Sequence, residues 1–219
     1  MISDNLKILL PYLNSLKNVS GSINITLNNF SLILNNKSLV GDSLESWIGE
    51  YLKSLEKITK VKITPNPISQ TFPDIYLETS LYGKTNLEIK TFDIEAGANF
   101  DIANFNSYVD SLLENPDKIN ADYLVIGYSL NNGYLKIKNI WYKKVWQLCC
   151  PSKNWALKLQ IKRKIIYNIR PCNLTGKSVY SPFSSKDEFI NALQNVLNQY
   201  PQTKLKYMNW KSDFLKKIK

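Results

Sequence analysis

The sequence contains no histidine. That absence excludes a Ser-His-Asp triad, a Cys-His pair, a His-ligated zinc ion and an imidazole general base. Any catalysis falls to carboxylates, lysine, tyrosine, hydroxyls or a metal held by oxygen. Cysteine is scarce, with only Cys149, Cys150 and Cys172. An odd count with two adjacent is neither a disulfide framework nor a zinc spacing, and it points to a reducing compartment and small buried side chains. The eight glycines include no phosphate-cradling cluster, which argues against a cofactor enzyme. No apolar run approaches the roughly 20 residues of a membrane span. The start, MISDNLKILLPYLNSL, has a single early lysine, a proline and no small-residue cleavage site, a poor signal peptide. The expectation is a cytoplasmic protein that does not engage a membrane.

Acid is missing from one long stretch. Residues 123–186 hold 12 basic residues and no Asp or Glu, whereas residues 1–122 hold 10 basic and 15 acidic. A genome rich in AT would raise lysine everywhere, but it would not clear carboxylates from 64 consecutive residues. A polyanionic partner would, because a carboxylate near phosphate is repelled. Arginine is also rare: 26 of the 28 basic residues are lysine, leaving Arg163 and Arg170. The net charge of +10 therefore points to nucleic acid, with 123–186 as its basic region.

The 219 residues suffice for one domain with a full core, and no linker or repeat divides them. Residues 3–17 read as a helix interrupted near Pro11. Ile23, Ile25 and Leu27 alternate as in a strand. Residues 43–56 read as an amphipathic helix capped by Asp42 or Ser43. Strands are expected over Ile75–Leu81 and Asn86–Phe92, joined at Tyr82-Gly83-Lys84. A helix containing Ile102, Phe105, Val109 and Leu112 stops at Asn115-Pro116. Tyr123–Leu130 is an apolar run suited to a central strand, and Asn132-Gly133 turns it into Tyr134–Trp141. A hairpin over 155–170 follows. Ser185 and Glu188 have capping-box spacing before a last clear helix, and the lysine-rich tail from 203 allows another short one. The order indicates an α/β fold: a mixed central β-sheet flanked by helices, with a C-terminal β-hairpin and helix.

The chemistry concentrates in two of these strands. Asp74 follows Pro73 at the start of one, and the other contains Leu87-Glu88-Ile89-Lys90. Residues i and i+2 share a strand face, so Glu88 and Lys90 point one way and Leu87 and Ile89 point into the core. A short turn brings Asp74 beside Glu88. Two carboxylates so close repel unless something neutralises them, and a hard divalent cation does so with oxygen ligands. Such a site suits phosphodiester hydrolysis without histidine, with Lys90 positioning water and stabilising charge on the phosphorane. Chance alone puts about two acid-x-Lys triplets in a chain of this composition. This chain has one, inside an apolar strand, and the bland alternative is a surface ion pair.

Pro73-Asp74 with Glu88-Ile89-Lys90 resembles the signature of the PD-(D/E)XK nuclease superfamily. The runs SQTFPDIYL, NLEIKTFD, NFDIANFNSYVDSLL, ADYLVIGYSL, KIKNIWYKKVWQL and WALKLQIKRKIIYNIRP, covering about 69–171, are similar to type II restriction endonucleases of the NgoBV/NlaIV group. The resemblance implies a restriction-endonuclease-like core and a single nuclease domain over 1–219, with its metal site within 42–92. It implies a Mg²⁺-dependent homodimer that cuts double-stranded DNA at a short, largely palindromic site, of the GGNNCC type in that group, beside a companion DNA methyltransferase. It also implies a metal site built from Asp74, Glu88, the residue Ile89 and an acid from the preceding helix. Glu45 is the preferred helix acid, since it lies at the border of the apolar stripe, while Glu50 lies farther round. Glu45 also fits the third position of a capping box with Asp42. A repair nuclease or junction resolvase of the same superfamily is the alternative enzyme. A non-catalytic DNA-binding protein is the alternative of another class.

In the hairpin, Lys158, Gln160 and Lys162 share one face and Asn168 and Arg170 alternate on the return. Trp155, Leu157, Leu159 and Ile161 take the other. A β-ribbon with a basic outer face can enter a DNA groove. Arg170 or Arg163 is the expected base reader, because the guanidinium fork reads guanine bidentately. The alternatives are a phosphate contact for Arg163, flanked by Lys162 and Lys164, and a structural ion pair for Arg170. Lys143 and Lys144, between two tryptophans, are the expected phosphate clamp.

Overall fold

The computed structural model describes residues 1–68, 71–176 and 178–218. Ser69 and Gln70, which open the SQTFPDIYL run, and Lys177 of the basic region lie outside the described residues. The elements begin with α1 (Asp4–Ser15), β1 (Ser20–Ser22), β2 (Asn24–Leu27), β3 (Phe30–Ile33), α2 (Lys37–Ser54) and α3 (Glu56–Thr59). Next come β4 (Lys62–Pro65), β5 (Ile75–Thr79), β6 (Gly83–Asp93), β7 (Ala103–Asn104), α4 (Phe105–Glu114), β8 (Asp122–Asn131) and β9 (Tyr134–Lys144). The chain closes with β10 (Leu159–Lys162), β11 (Ile165–Ile169), α5 (Lys186–Gln199), α6 (Pro201–Lys204) and α7 (Trp210–Lys217). They form two compact units, the first from residues 1–97 and 122–143 and the second from 98–121 and 144–219.

The first unit carries a six-stranded mixed sheet in the order β1-β9-β8-β6-β5-β4. β6 is the switch strand: it pairs antiparallel with β5 and parallel with β8. The parallel pair sits at the centre, as the apolar run in β8 requires, and Tyr123, Leu124, Val125 and Ile126 are all buried. Helices α1 and α2 supply Leu6, Leu9, Leu13, Leu44, Ile48 and Leu52 to the core that also holds Leu87 and Ile89. The buried Asn5 ties α1 to the β5–β6 hairpin, donating to the carbonyls of Leu77 and Gly83 and accepting from the Thr79 hydroxyl.

Two expectations are corrected here. Helix α1 runs through Pro11 without interruption. Pro11 has no N–H for the Lys7 carbonyl, and because both residues lie on the exposed side water can donate there instead. Helix α2 starts six residues before the expected position, capped by Asn36, whose side chain accepts from Ser38 and Leu39 N–H. Asp42, Ser43 and Glu45 therefore lie inside the helix, and the capping box does not exist. The strand expected around Ile25 and Leu27 is present as β2, and with β3 it forms a hairpin exposed on both faces, with Leu27 72% and Phe30 71% exposed.

In the second unit, α4, α5 and α7 bury one another. The rings of Tyr108 and Phe189 lie 6.2 Å apart, and the Trp210 indole donates to the Val109 carbonyl. β10 and β11 pair antiparallel, with the short β7 beside β11. The turn is Arg163-Lys164, both at positive φ. The expected hairpin over 155–170 is shorter, because residues 155–158 are not strand, and a register shift between Leu159 and Ile161 breaks the alternation. Ile161 is accordingly exposed rather than packed on a core. Ser185 caps α5 as expected, and the Glu188 carboxylate is held below its ordinary range by hydrogen bonds from the Ser184 hydroxyl and N–H and from the Ser185 N–H.

Candidate active site

The β5–β6 ladder ends at Ile75 opposite Leu87. Continuing the same register, Asp74 faces Glu88 one step further and Pro73 faces Ile89 two steps further. Residues directly opposite in an antiparallel pair share a sheet face, so the two carboxylates meet by construction. Proline has no N–H to donate, so the ladder stops there and β6 is left with an open edge from Glu88 onward. Backbone groups on that edge need other partners. The Ile89 N–H goes to Asp74 Oδ2 at 2.7 Å, and the Thr91 N–H goes to Glu45 Oε1 at 2.8 Å. Asp74 and Glu45 thus stand where a further stretch of β5 would have been. The Ile89 carbonyl points to the same edge as its N–H, between those two carboxylates.

On the strand itself, Lys90 Nζ donates to Glu88 Oε1 at 2.6 Å, and Glu88 Oε2 accepts from the Asp74 N–H at 3.3 Å. The Lys90 side chain is only 18% exposed. This is no surface ion pair. One ammonium serves three acids, and the electrostatics register the imbalance. Burial pushes the Glu45 carboxyl up to about 7, opposed by Lys90 and the Thr91 N–H and reinforced by Asp74 and Asp42. Burial likewise pushes Glu88 up to about 7, with Lys90 opposing and Asp74 reinforcing. Burial pulls Lys90 down, but Glu88, Asp74 and Glu45 together outweigh it and hold the ammonium above its ordinary range.

The fit of a divalent cation to these residues follows from that imbalance. Three carboxylates and a carbonyl are a hard-oxygen donor set, and a positive ion would return Glu45 and Glu88 to their ordinary range. Among the described residues no three acidic or cysteine side chains close a metal cage by themselves. An open site of this kind suits Mg²⁺, which keeps waters and takes phosphate oxygens rather than a full protein cage.

The sequence-chosen residues Asp74, Glu88, Ile89, Lys90 and Glu45 are therefore brought together. Glu50 is not: Glu45, five residues before it, is the helix acid that reaches β6. Thr91 was missed, although it holds Glu45 from the position next to Lys90.

The basic region distributes differently. Lys144, expected in a phosphate clamp, is buried and donates to the Asn120 carbonyl at 2.5 Å, so it is corrected to a scaffold cation. Arg170 pairs with Asp101 and donates to the Asn99 carbonyl at 2.5 Å, the structural ion pair of the two readings offered for it. Lys158 donates to the Pro171 carbonyl, and Asn168 to Asp101 and Gln160. Lys162, Arg163 and Lys164 at the hairpin turn are exposed, and Lys143 is half-buried. Trp141 stacks on Phe92 at 5.6 Å and lies so close over Gly127 that a Cβ there would come within 2.9 Å of its ring. The three cysteines are free and buried. Among the described residues no helix is long and apolar enough to cross a membrane.

Known proteins of the same kind carry the same fold. The family model of the NgoBV restriction endonucleases matches residues 4–219. The chain is 31% identical over 198 residues to the type II restriction enzyme NlaIV of Neisseria lactamica, across 89% of this chain and 80% of that protein. It is 30% identical over 145 residues to the type II restriction enzyme NgoBV of Neisseria gonorrhoeae, across 66% of this chain and 80% of that protein. The solved structure of the NlaIV restriction endonuclease superposes with a TM-score of 0.82 at 27% identity, covering 98% of this chain and 87% of that one.

Proposed function

The chain belongs to the NgoBV restriction endonuclease family, and on that premise we propose that it is a Mg²⁺-dependent type II restriction endonuclease. It hydrolyses phosphodiester bonds in double-stranded DNA at a short, largely palindromic sequence. The observation that carries this reading is the open edge of β6, where Asp74, Glu88, the Ile89 carbonyl and Glu45 converge beside Lys90.

Asp74, Glu88, Glu45 and the Ile89 carbonyl would hold the cation. When bound, the cation supplies Lewis-acid polarisation of the scissile phosphate and acidifies water. Lys90 Nζ, anchored on Glu88, is aimed by that anchor at negative charge building on phosphorus, where a fixed charge in a dry site counts most. Glu88 keeps Lys90 protonated while this happens. Lys143, Lys162, Arg163 and Lys164 meet the DNA, with Arg163 the candidate for reading a base. Lys158, Gln160, Asn168 and Arg170 shape the hairpin that presents them. A palindromic target calls for a two-fold homodimer, and a nuclease of this specificity calls for a DNA methyltransferase that protects the host. The protein works in the cytoplasm, where that DNA is.

The test is incubation with plasmid and Mg²⁺, followed by sequencing of the fragment ends. Discrete fragments with one shared sequence at every end, abolished by EDTA, are expected. Cutting confined to branched DNA or mismatches would replace this reading with a repair nuclease or junction resolvase.

A further inference from the structure

Glu45 comes to the β6 edge from a helix whose apolar packing against Leu87 and Ile89 is non-directional and does not set where the Glu45 carboxylate stands. The sheet carries a device that does. Thr91 is almost fully buried on the same strand face as Ile89. Its N–H binds Glu45 Oε1 at 2.8 Å, and its hydroxyl donates to the Gly41 carbonyl at 3.1 Å. Gly41 lies four residues before Glu45 in α2, so its carbonyl is the one that accepts the backbone N–H of Glu45. Thr91 therefore grips Glu45 at both ends, by its carboxylate and through the carbonyl that holds its amide.

Glycine at 41 permits the grip. A Cβ at that position would stand 3.2 Å from Thr91 Oγ1 and 3.6 Å from the Tyr128 hydroxyl, tight enough that a neighbour would have to move. The same turn of α2 is tied down twice more. The Tyr128 hydroxyl donates to the Lys37 carbonyl at 3.0 Å, and the Lys37 ammonium pairs with Asp93.

We propose that Thr91 is a positioning residue of the nuclease site, which with Gly41 fixes Glu45 against the open edge of β6. The inference rests on the reading of that edge as the cleavage site. Its test compares Thr91→Val, Thr91→Ser and Gly41→Ala with the unmodified protein. The measurements are kcat and KM on plasmid, Mn²⁺ affinity by calorimetry, duplex affinity and melting temperature.

Thr91→Val keeps the β-branch and the N–H and loses only the hydroxyl. It should lower kcat by roughly 10-fold to 100-fold, since misplacement of an ångström or less is costly in a preorganised site. KM and duplex affinity should hold within about twofold, and Mn²⁺ binding should weaken. Thr91→Ser should recover most of the loss, and Gly41→Ala should reproduce it. Unchanged kcat and Mn²⁺ affinity in Thr91→Val, with the unmodified protein cutting DNA, would overturn the clamp and leave the nuclease reading in place. Equal losses in the Val and Ser variants, with lowered melting temperature and duplex affinity, would also overturn it by making Thr91 merely structural. An unmodified protein that neither cuts DNA nor binds Mn²⁺ would overturn the nuclease reading and the clamp with it.

Discussion

The edge of β6 and the β10–β11 hairpin were singled out by opposite charge signals, and they resolve in opposite ways. At the edge a few acids, sparse along the chain, converge on one lysine in a buried place. In the hairpin region an abundance of cations disperses, and several are spoken for by the protein. Lys144, Lys158 and Arg170 give their donors to Asn120, Pro171, Asn99 and Asp101. Charge counted along a sequence thus indicates the sign of a partner but not which side chains are available to it. A buried cluster is specified by register, whereas an exposed one is a matter of what each long side chain finds nearby.

The largest effects should come from the edge. Asp74→Ala, Glu88→Ala and Lys90→Ala are each expected to lower plasmid cleavage by about 10³-fold or more while duplex binding survives. A variant that cuts at the unmodified rate would break the contrast between a chemical edge and a binding hairpin. The same edge predicts a pH signature in the absence of metal. Glu45 and Glu88 hold their protons to about pH 7 when folded, against an ordinary value of 4.5. Between those values the unfolded chain has lost protons that the folded chain keeps, so stability falls as pH rises, and the loss is complete above about 7. Each group contributes on the order of 3 kcal/mol, so melting in EDTA should drop by roughly 10–20 °C from pH 5 to pH 8. Mg²⁺ should restore stability at pH 8 and do little at pH 5. A flat profile would mean that the carboxylates are neutralised by protein groups alone.

Smaller effects belong to the hairpin. Arg163→Ala with Lys164→Ala should weaken binding to cognate and random duplex and reduce the salt slope by about two, if both meet phosphate. A loss confined to the cognate site would instead mark Arg163 as a base reader. Smallest is Arg170→Ala, expected to cost about 1 kcal/mol of stability because its partner Asp101 is nearly half exposed. Cognate and random DNA should then suffer alike. A selective loss of cognate affinity would move Arg170 back to reading.

What was legible in the sequence was what alternation and turns encode. The β5–β6 pair and its turn follow from period-two patterns with a local stop, the central β8 from a continuous apolar run, and the connection to β9 from Asn132-Gly133. So does the meeting of Asp74 with Glu88, which needs only a hairpin. Glu45 was reachable through the border of an apolar stripe, yet the start of α2 was misplaced. Asn36 is as good a cap as Asp42, and Gly41 reads as a break unless the strand packed against it is known. Asp101 lies 69 residues from Arg170, and no local pattern joins them. Ile23, Ile25 and Leu27 alternate as a half-buried strand does, yet β2 is exposed along its whole length. Burial is a property of what arrives later in the fold, and the pattern alone does not carry it.

The proline before Asp74 has a consequence for how this chain can vary. Elsewhere in the sheet a better strand former is a neutral or stabilising change. At 73 it would restore the missing donor, let β5 zip two residues further, and claim the Ile89 carbonyl and N–H for the ladder. The open edge persists because the ladder is kept two residues short of what it could form. Drift toward a more regular fold is therefore, at this one position, drift toward a closed edge.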